Sequence, residues 1–308
     1  MNILIVDDIH EVLLQKLGRA AIAYSYQPDF SRADAEKAIV DYDGLIIRSK
    51  FQVDKEFIDL NPNLKMIGRA GAGMDNIDEA YANSKGIKLI PANEGNRDAV
   101  GEHMIGMLLS LMNNLNRGDR EVRSGEWKRE ENRGHELKGK TVALIGYGHN
   151  GQAMAKKLSG FDVKVIAYDK YKTGFSDLYA TEVSMEEVVR RADVLSFHIP
   201  LTRETRGMVD DEYLFHFRKP IFFLMGARGG IVKIPAVLKK LDEGKIIAAA
   251  FDVLPVEKFP ALAEEAWYED LIKRDNVLLS PHVAGWTFES YYKLSEVLAD
   301  KVIAYEYQ

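Results

Sequence analysis

The sequence predicts an α/β protein of two parallel-sheet domains, and three observations carry that prediction. Short apolar runs alternate with helix-period segments twice along the chain, as βα units do. Most of these runs are apolar at successive positions, the pattern of strands buried on both faces of a doubly wound sheet. A glycine-rich turn, GYGHNG at 146–151, joins a strand pattern to a helix pattern at the head of the second series. With 308 residues and 46% hydrophobic content, the chain is long enough to form two cores rather than one.

In the first series the strand runs are ILIV at 3–6, GLIIRS at 44–49, KMIG at 65–68 and KLIP at 88–91. From Asp98 to about Asn114 the apolar residues follow a helical period through MIGMLLSLM, giving a long, largely buried helix suited to crossing between domains. The polar stretch 116–140 carries Trp127 and reads as an exposed arm or a linker; the lone Trp favours an arm that docks on something. The second series runs TVALIG at 141–146, VKVIAYD at 163–169, VLSFHIP at 194–200, IFFLMG at 221–226, IIAAAFDV at 246–253 and VLLSP at 277–281. The final stretch, Thr287 to Tyr305, is helical by its period and placed to return to the first domain.

Charge and composition exclude several classes. A formal net charge of −6 provides no basic footprint for nucleic acid or an anionic membrane. No run approaches the roughly 18 apolar residues of a membrane span, and MNILIVDD opens on a strand rather than a signal peptide, so a cytoplasmic protein is expected. The chain has no cysteine, which removes disulfides and thiolate zinc sites, and its seven His lack a metal-ligand spacing; no metal is expected.

The turn at 146–151 has the spacing of a dinucleotide fingerprint. Gly146 allows the tight turn, Gly148 lets the backbone approach a pyrophosphate, and Gly151 allows close helix packing, with the helix N-terminus facing the phosphates. Asp169 follows Gly151 at the end of the next strand run, where a carboxylate can accept from ribose hydroxyls and repel a 2′-phosphate. NAD is therefore expected over NADP. Lys170 and Lys172 beside it read as a solvated turn.

Downstream of the fingerprint stand an Arg in AlaArgGlyGly at 227–230, Glu257 in DVLPVEKFP and His282 in PHVAG. An Arg, a Glu and a His are the inventory needed to hold a carboxylate substrate, tune an imidazole and pass a proton while a nicotinamide passes a hydride. The loop Ala70-Gly71-Ala72-Gly73 offers unobstructed backbone N–H groups, a nest for a carboxylate.

With these residues in place, the chain resembles the D-isomer-specific 2-hydroxyacid dehydrogenases, and among them most closely the D-3-phosphoglycerate dehydrogenases. The likeness runs through GRAGAGMDNID at 68–78, NEGNRDAVGEHMIGMLL at 93–109, ELKGKTVALIGYGHNG at 136–151, HIPLTRETRGMV at 198–209, ARGGIVKIPAVLKKL at 227–241 and NVLLSPHVAGWT at 276–287. It implies two Rossmann-like domains, the substrate domain discontinuous: residues 1–97 as its first part, 98–283 as the NAD-binding domain with a dimerisation arm around Trp127, and 284–308 as the helix returning to the substrate domain. It also implies an active site in the cleft and a homodimer.

By the same resemblance, Arg228 is the substrate-binding arginine, His282 the acid/base and Glu257 the carboxylate that orients it. His149, Asn150, His198, Ile199, Pro200, Gly226, Ala227 and Asp252 join the fingerprint and Asp169 around the cofactor. Arg48, Ser49 and Arg69 match the positions that bind a substrate phosphate, with 70–73 beside them. The implied activity is oxidation or reduction of a D-2-hydroxyacid/2-keto acid pair, 3-phosphoglycerate and 3-phosphohydroxypyruvate first. A glyoxylate or hydroxypyruvate reductase is the alternative within the class, and a non-catalytic NAD(H)-sensing corepressor-like protein the alternative from another. A formate dehydrogenase is disfavoured because that group carries Gln at the position of Glu257.

His103, in a helical run, is assigned to packing or a hydrogen bond between domains, and His198 to the cofactor rather than the reacting carbon. Met225, with Gly226 next to it, stands where the family has an Asn three positions before the Arg, and Lys258 replaces a Pro after Glu257, so the hydrogen bonding and the loop there are expected to differ. The chain ends soon after its last helix, so the regulatory domain of longer phosphoglycerate dehydrogenases is not expected.

Overall fold

The apolar runs marked as strands pair side by side in two all-parallel sheets of a computed structural model that describes residues 1–307. Each sheet belongs to one of two units: residues 1–97 with the segment from Trp286 onward, and residues 98–285.

In the first unit, β1 (Asn2–Ile5), β2 (Ala23–Tyr26), β3 (Gly44–Ile47), β4 (Met66–Arg69) and β5 (Lys88–Pro91) lie in the order β2-β1-β3-β4-β5. Ile3, Ile5, Ile46 and Met66 face one core, while Leu4, Leu45, Ile47 and Ile67 face the other. Successive residues thus enter opposite cores, which is why the runs are apolar throughout. The sequence marks four of the five strands. The fifth, β2, has the sequence AYSY and lies at the sheet edge with Ala23 and Tyr24 exposed, so it lacks the apolar signature.

The helix Phe288–Glu306 packs Leu294, Leu298 and Val302 into the core of Ile3, Ile5 and Leu13. Thr287 and Ser290 form its capping box, satisfying N–H groups that a helix start leaves without partners. The amino terminus of Met1 meets Glu306 at 2.6 Å and ties the first strand to the last helix.

In the second unit, β6 (Thr141–Ile145), β7 (Lys164–Tyr168), β8 (Thr181–Glu182), β9 (Val194–Phe197), β10 (Ile221–Met225), β11 (Ile246–Phe251) and β12 (Val277–Leu279) lie in the order β12-β11-β10-β9-β6-β7-β8. The chain leaves β6 toward β7 on one side and returns through β9 on the other, so the strand order reverses at β6. Such a reversal opens a crevice at the carboxyl ends of the strands, where doubly wound sheets bind ligands. Phe223, Met225 and Phe251 fill one core, and Phe222 and Leu224 join Met104 and Leu108 of the helix Arg97–Met112 in the other.

The stretch 116–140, by its composition an arm or a linker, begins inside the helix Leu115–Arg123, which buries none of its residues. Trp127 beyond it is 83% exposed, and Leu115 and Val122 of that helix are exposed as well. No helix among the described residues is long and apolar enough to cross a membrane.

Candidate active site

The glycine turn sits where the strand order reverses. Gly146 has φ +95, and a Cβ there would lie 2.6 Å from the carbonyl oxygen of His198; one on Gly151 would lie 2.4 Å from the carbonyl oxygen of Gly146. The first and third glycines are therefore fixed by packing. Around Gly148 nothing approaches within 4 Å, and it caps the helix His149–Leu158 with no side-chain acceptor on the first-turn N–H groups. Open space at a bare helix N-terminus suits a pyrophosphate. The Asn150 Oδ1 is buried without a partner, an acceptor to which a bound molecule can donate. These residues fit a dinucleotide.

Asp169, half-buried at the end of β7, accepts from the backbone N–H of Tyr147 and of Tyr171, each at 3.0 Å. Its carboxylate is thereby aimed by two main-chain bonds and keeps lone pairs for hydroxyls. Lys170 is paired with Glu204 at 2.7 Å, and Lys172 donates to the Tyr147 carbonyl at 3.0 Å. Tyr147 itself was not singled out in the sequence. Its ring is fully buried against Phe175, centroids 5.1 Å apart, and its hydroxyl donates to Asp177 at 2.9 Å. Burial and that carboxylate raise its pKa. Nothing in the spacing alone marks a fingerprint Tyr as the anchor of the segment 175–180.

His198 follows β9, its Nε2 2.9 Å from the Ser196 Oγ; burial pushes its pKa down to about 4, so it is neutral at neutral pH. Its neighbour Ile199 lies against Gly146, and Pro200 is exposed. Gly226 and Ala227 leave the end of β10. Met225, in the family's Asn position, is fully buried in the core, and its carbonyl accepts from the Asp252 N–H at 2.9 Å.

Three loops of this unit bring Arg228, Glu257 and His282 together. Arg228 is extended and donates from Nη1 to the Ala227 carbonyl at 2.7 Å. A Cβ on the next residue, Gly229, would lie 2.0 Å from the Leu254 carbonyl, so the arginine loop is pressed against the loop that leads to Glu257. His282 has φ 55, an uncommon backbone for a non-glycine residue. Its Nδ1 lies 2.9 Å from the Glu257 Oε2, so Nε2 is the atom left for a substrate. The bond to Glu257 raises the His282 pKa, burial and Arg228 lower it, and Asp252 adds a smaller lift; the balance lies above the ordinary imidazole value. A cavity of about 310 Å³ adjoins the pair, walled by Phe259, Leu262, Tyr268 and Leu279.

Asp252, 1% exposed, braces the histidine turn. Its Oδ1 accepts from the Ser280 hydroxyl at 2.5 Å and the Val283 N–H at 3.0 Å, its Oδ2 accepts from the Ala284 N–H at 3.0 Å, and its carbonyl accepts from the His282 N–H at 2.7 Å. Burial pushes this carboxyl up, but bonds from His103, Ser280 and the two N–H groups outweigh it and leave the pKa below the ordinary value. His103 Nε2 lies 2.9 Å from the Ser280 Oγ and 3.4 Å from Asp252, so the hydrogen bond expected to run between domains lies inside this unit.

The first unit carries a separate cluster. The buried Asp7 Oδ2 accepts from the N–H groups of Arg48, Ser49 and Lys50 at 3.0, 2.7 and 2.9 Å. The guanidinium carbon of Arg48 stands 4.5 Å from the centre of the Trp286 ring, and its Nη1 is buried without a partner. Arg69 donates from Nε to the Arg48 carbonyl and the Asn76 Oδ1 at 2.9 and 3.0 Å, and from Nη1 to the Gly73 carbonyl, so it braces the loop 70–73. In that loop Ala70 donates its N–H to Ile47 and Gly71 to Arg69, which narrows the expected nest to Ala72 and Gly73. Asp7 and Trp286 are members of this cluster that were not singled out in the sequence.

A fingerprint at a sheet reversal and an imidazole paired to a carboxylate beside an arginine define the class of nicotinamide-dependent oxidoreductases. Residues 105–284 match the sequence model of the D-isomer specific 2-hydroxyacid dehydrogenase NAD binding domain, and the chain belongs to that family. It is 32% identical over 305 residues to a D-3-phosphoglycerate dehydrogenase of Archaeoglobus fulgidus, covering 98% of this chain and 57% of that one. It is 35% identical over 283 residues to a glyoxylate reductase of Thermofilum pendens, covering 89% and 81%. The chain thus spans just over half the length of that phosphoglycerate dehydrogenase. Its fold is that of a D-lactate dehydrogenase from Aquifex aeolicus, solved with NAD and lactic acid, at a TM-score of 0.83, 24% identity and coverage of 100% and 96%.

Proposed function

We propose that the protein oxidises and reduces a D-2-hydroxyacid/2-keto acid pair with NAD, and that the pair is 3-phosphoglycerate and 3-phosphohydroxypyruvate. The observation that carries the reaction is the 2.9 Å bond between His282 and Glu257, with Arg228 near enough to act on the same imidazole. When bound, the nicotinamide supplies or takes the hydride. In reduction, His282 gives the proton on Nε2 to the keto oxygen, while Arg228 holds the carboxylate and steadies the negative charge growing on that oxygen. In oxidation, His282 takes the hydroxyl proton, and Glu257 stabilises the imidazolium that results. The Gly148 cradle, Asn150 and Asp169 hold the dinucleotide.

The phosphorylated substrate rests on Arg48, whose buried Nη1 lacks an acceptor that a phosphate oxygen would provide. A second reading, a glyoxylate or hydroxypyruvate reductase, is favoured by Arg69, whose bonds within the loop leave one cation rather than two for a phosphate. NADH oxidation by the purified protein with 3-phosphohydroxypyruvate, hydroxypyruvate, glyoxylate and pyruvate tests the choice. A kcat/KM highest for the phosphorylated acid supports the first reading, equal or higher values for hydroxypyruvate or glyoxylate support the second, and no turnover of any would leave a binding protein. We further propose a homodimer docked through the arm around Trp127, whose exposed indole is large for a free surface.

A further inference from the structure

The Arg48 guanidinium is held in a manner that a solvated arginine is not. Asp7 fixes its main chain through three N–H groups, so the side chain leaves a rigid point. Trp286 lies across it at 4.5 Å, and the indole is itself set edge-on to Tyr291, centroids 5.6 Å apart and planes at 74°. Tyr291 in turn meets the ring of His10, whose Nδ1 caps the helix Glu11–Arg19. Main chain, indole, phenol and imidazole thus form one continuous set of contacts, its rings meeting edge to face, that orients the plane of a single guanidinium. A guanidinium covered on its face offers only its edge donors, and one of these, Nη1, is buried with no acceptor.

We propose that Trp286 is a positioning and specificity-determining residue: it holds the edge of Arg48 toward a dianionic, phosphate-type group on the substrate, away from the reacting carbon. The inference rests on the phosphoglycerate reading. It adds the residue through which Arg48 acts. The indole supplies attraction to the cation, fixes its plane before substrate arrives, and keeps water from one side, so the edge bonds to a phosphate form with little reordering. A leucine would fill part of the space without holding the cation, whereas a phenylalanine keeps a ring face.

The test measures kcat/KM for 3-phosphohydroxypyruvate and for hydroxypyruvate in the wild type, Trp286→Leu, Trp286→Phe, Arg48→Ala and the double variant Arg48→Ala/Trp286→Leu. Trp286→Leu should lower the ratio of the two values by roughly three- to tenfold, chiefly through KM for the phosphorylated acid, and Trp286→Phe should restore most of it. In the Arg48→Ala background Trp286→Leu should not lower the ratio further, because the residue it acts through is gone. A wild-type preference that survives Trp286→Leu, or a loss that adds fully to that of Arg48→Ala, overturns the role of Trp286 and leaves the phosphoglycerate reading standing. A wild type without preference overturns that reading, and this inference with it.

Discussion

The Nδ1 of His282 and the Oε2 of Glu257 lie 2.9 Å apart across 25 positions of sequence, and the loop between them differs from the family pattern immediately after Glu257. Lys258 stands in place of the usual Pro, a short helix, Ala261–Glu264, follows Pro260, and the carboxylate still reaches the ring. The pairing raises the imidazole pKa, so the imidazolium, the form the proposed reduction uses, persists to higher pH than in an unpaired histidine. His282→Ala should cut turnover by about 10²–10⁴-fold while NADH binding, followed by fluorescence, is retained. Retained turnover would remove His282 from the proton step.

The sign of the Glu257 effect follows from the same pair. On the proposed mechanism, reduction requires imidazolium and fails as pH rises through the His282 pKa, whereas oxidation requires the neutral ring and rises through it. Glu257→Gln removes the largest cause of the upward shift, so both limbs should move toward lower pH. Profiles of kcat/KM in the two directions measure this, and unmoved limbs would show that Glu257 does not set the imidazole pKa.

Asp252→Ala leaves the Ser280 hydroxyl and the N–H groups of Val283 and Ala284 without their acceptor, which should cost about 2–4 kcal/mol in denaturant unfolding. Its folded pKa is depressed, so the carboxylate contributes stability above its unfolded pKa of about 4 and loses it as pH falls through the lower folded value. Acid unfolding of Asp252→Asn should therefore lose part of the pH dependence of the wild type. An identical slope would place the titration elsewhere.

The cofactor choice tests the carboxylate at the end of β7. Asp169 is aimed by the backbone N–H groups of Tyr147 and Tyr171, while Lys170 and Lys172 are engaged with Glu204 and the Tyr147 carbonyl. NADH should outperform NADPH, and Asp169→Ala should narrow the gap by removing the like-charge repulsion. Equal use of both cofactors by the wild type would contradict the role given to Asp169.

Much of this was legible in the sequence because it is local or periodic. Strands such as IFFLM are apolar on both faces and declare themselves, and the fingerprint glycines carry their spacing on one stretch of chain. The edge strand β2 escaped because one side of it needs no burial. The braces escaped for another reason: Asp7 to Arg48, Asp252 to Ser280 and Arg48 to Trp286 join residues 28 to 238 positions apart, and no period links them. A carboxylate at a strand end was the one available signal for Asp7, at the close of NILIVDD.

The two arginines of the first unit differ in what they bond. The sequence treats Arg48 and Arg69 alike, as a pair of cations for one phosphate. The folded chain assigns them different work: Arg69 bonds the Arg48 carbonyl, Asn76 and the Gly73 carbonyl, whereas Arg48 keeps a buried Nη1 without a partner. Arg69→Ala removes the brace of the loop 70–73, so kcat/KM for 3-phosphohydroxypyruvate and hydroxypyruvate should fall together and their ratio should change by less than about threefold. On the phosphoglycerate reading, Arg48→Ala removes a charge-assisted bond made to the phosphorylated acid alone, worth roughly 1.5–3 kcal/mol, so the ratio should fall by about ten- to a hundredfold. Measuring both substrates on both variants distinguishes a lost contact from a loosened loop. If Arg69→Ala lowers the ratio as far as Arg48→Ala does, Arg69 also binds the phosphate and its bonds within the loop rearrange when substrate arrives.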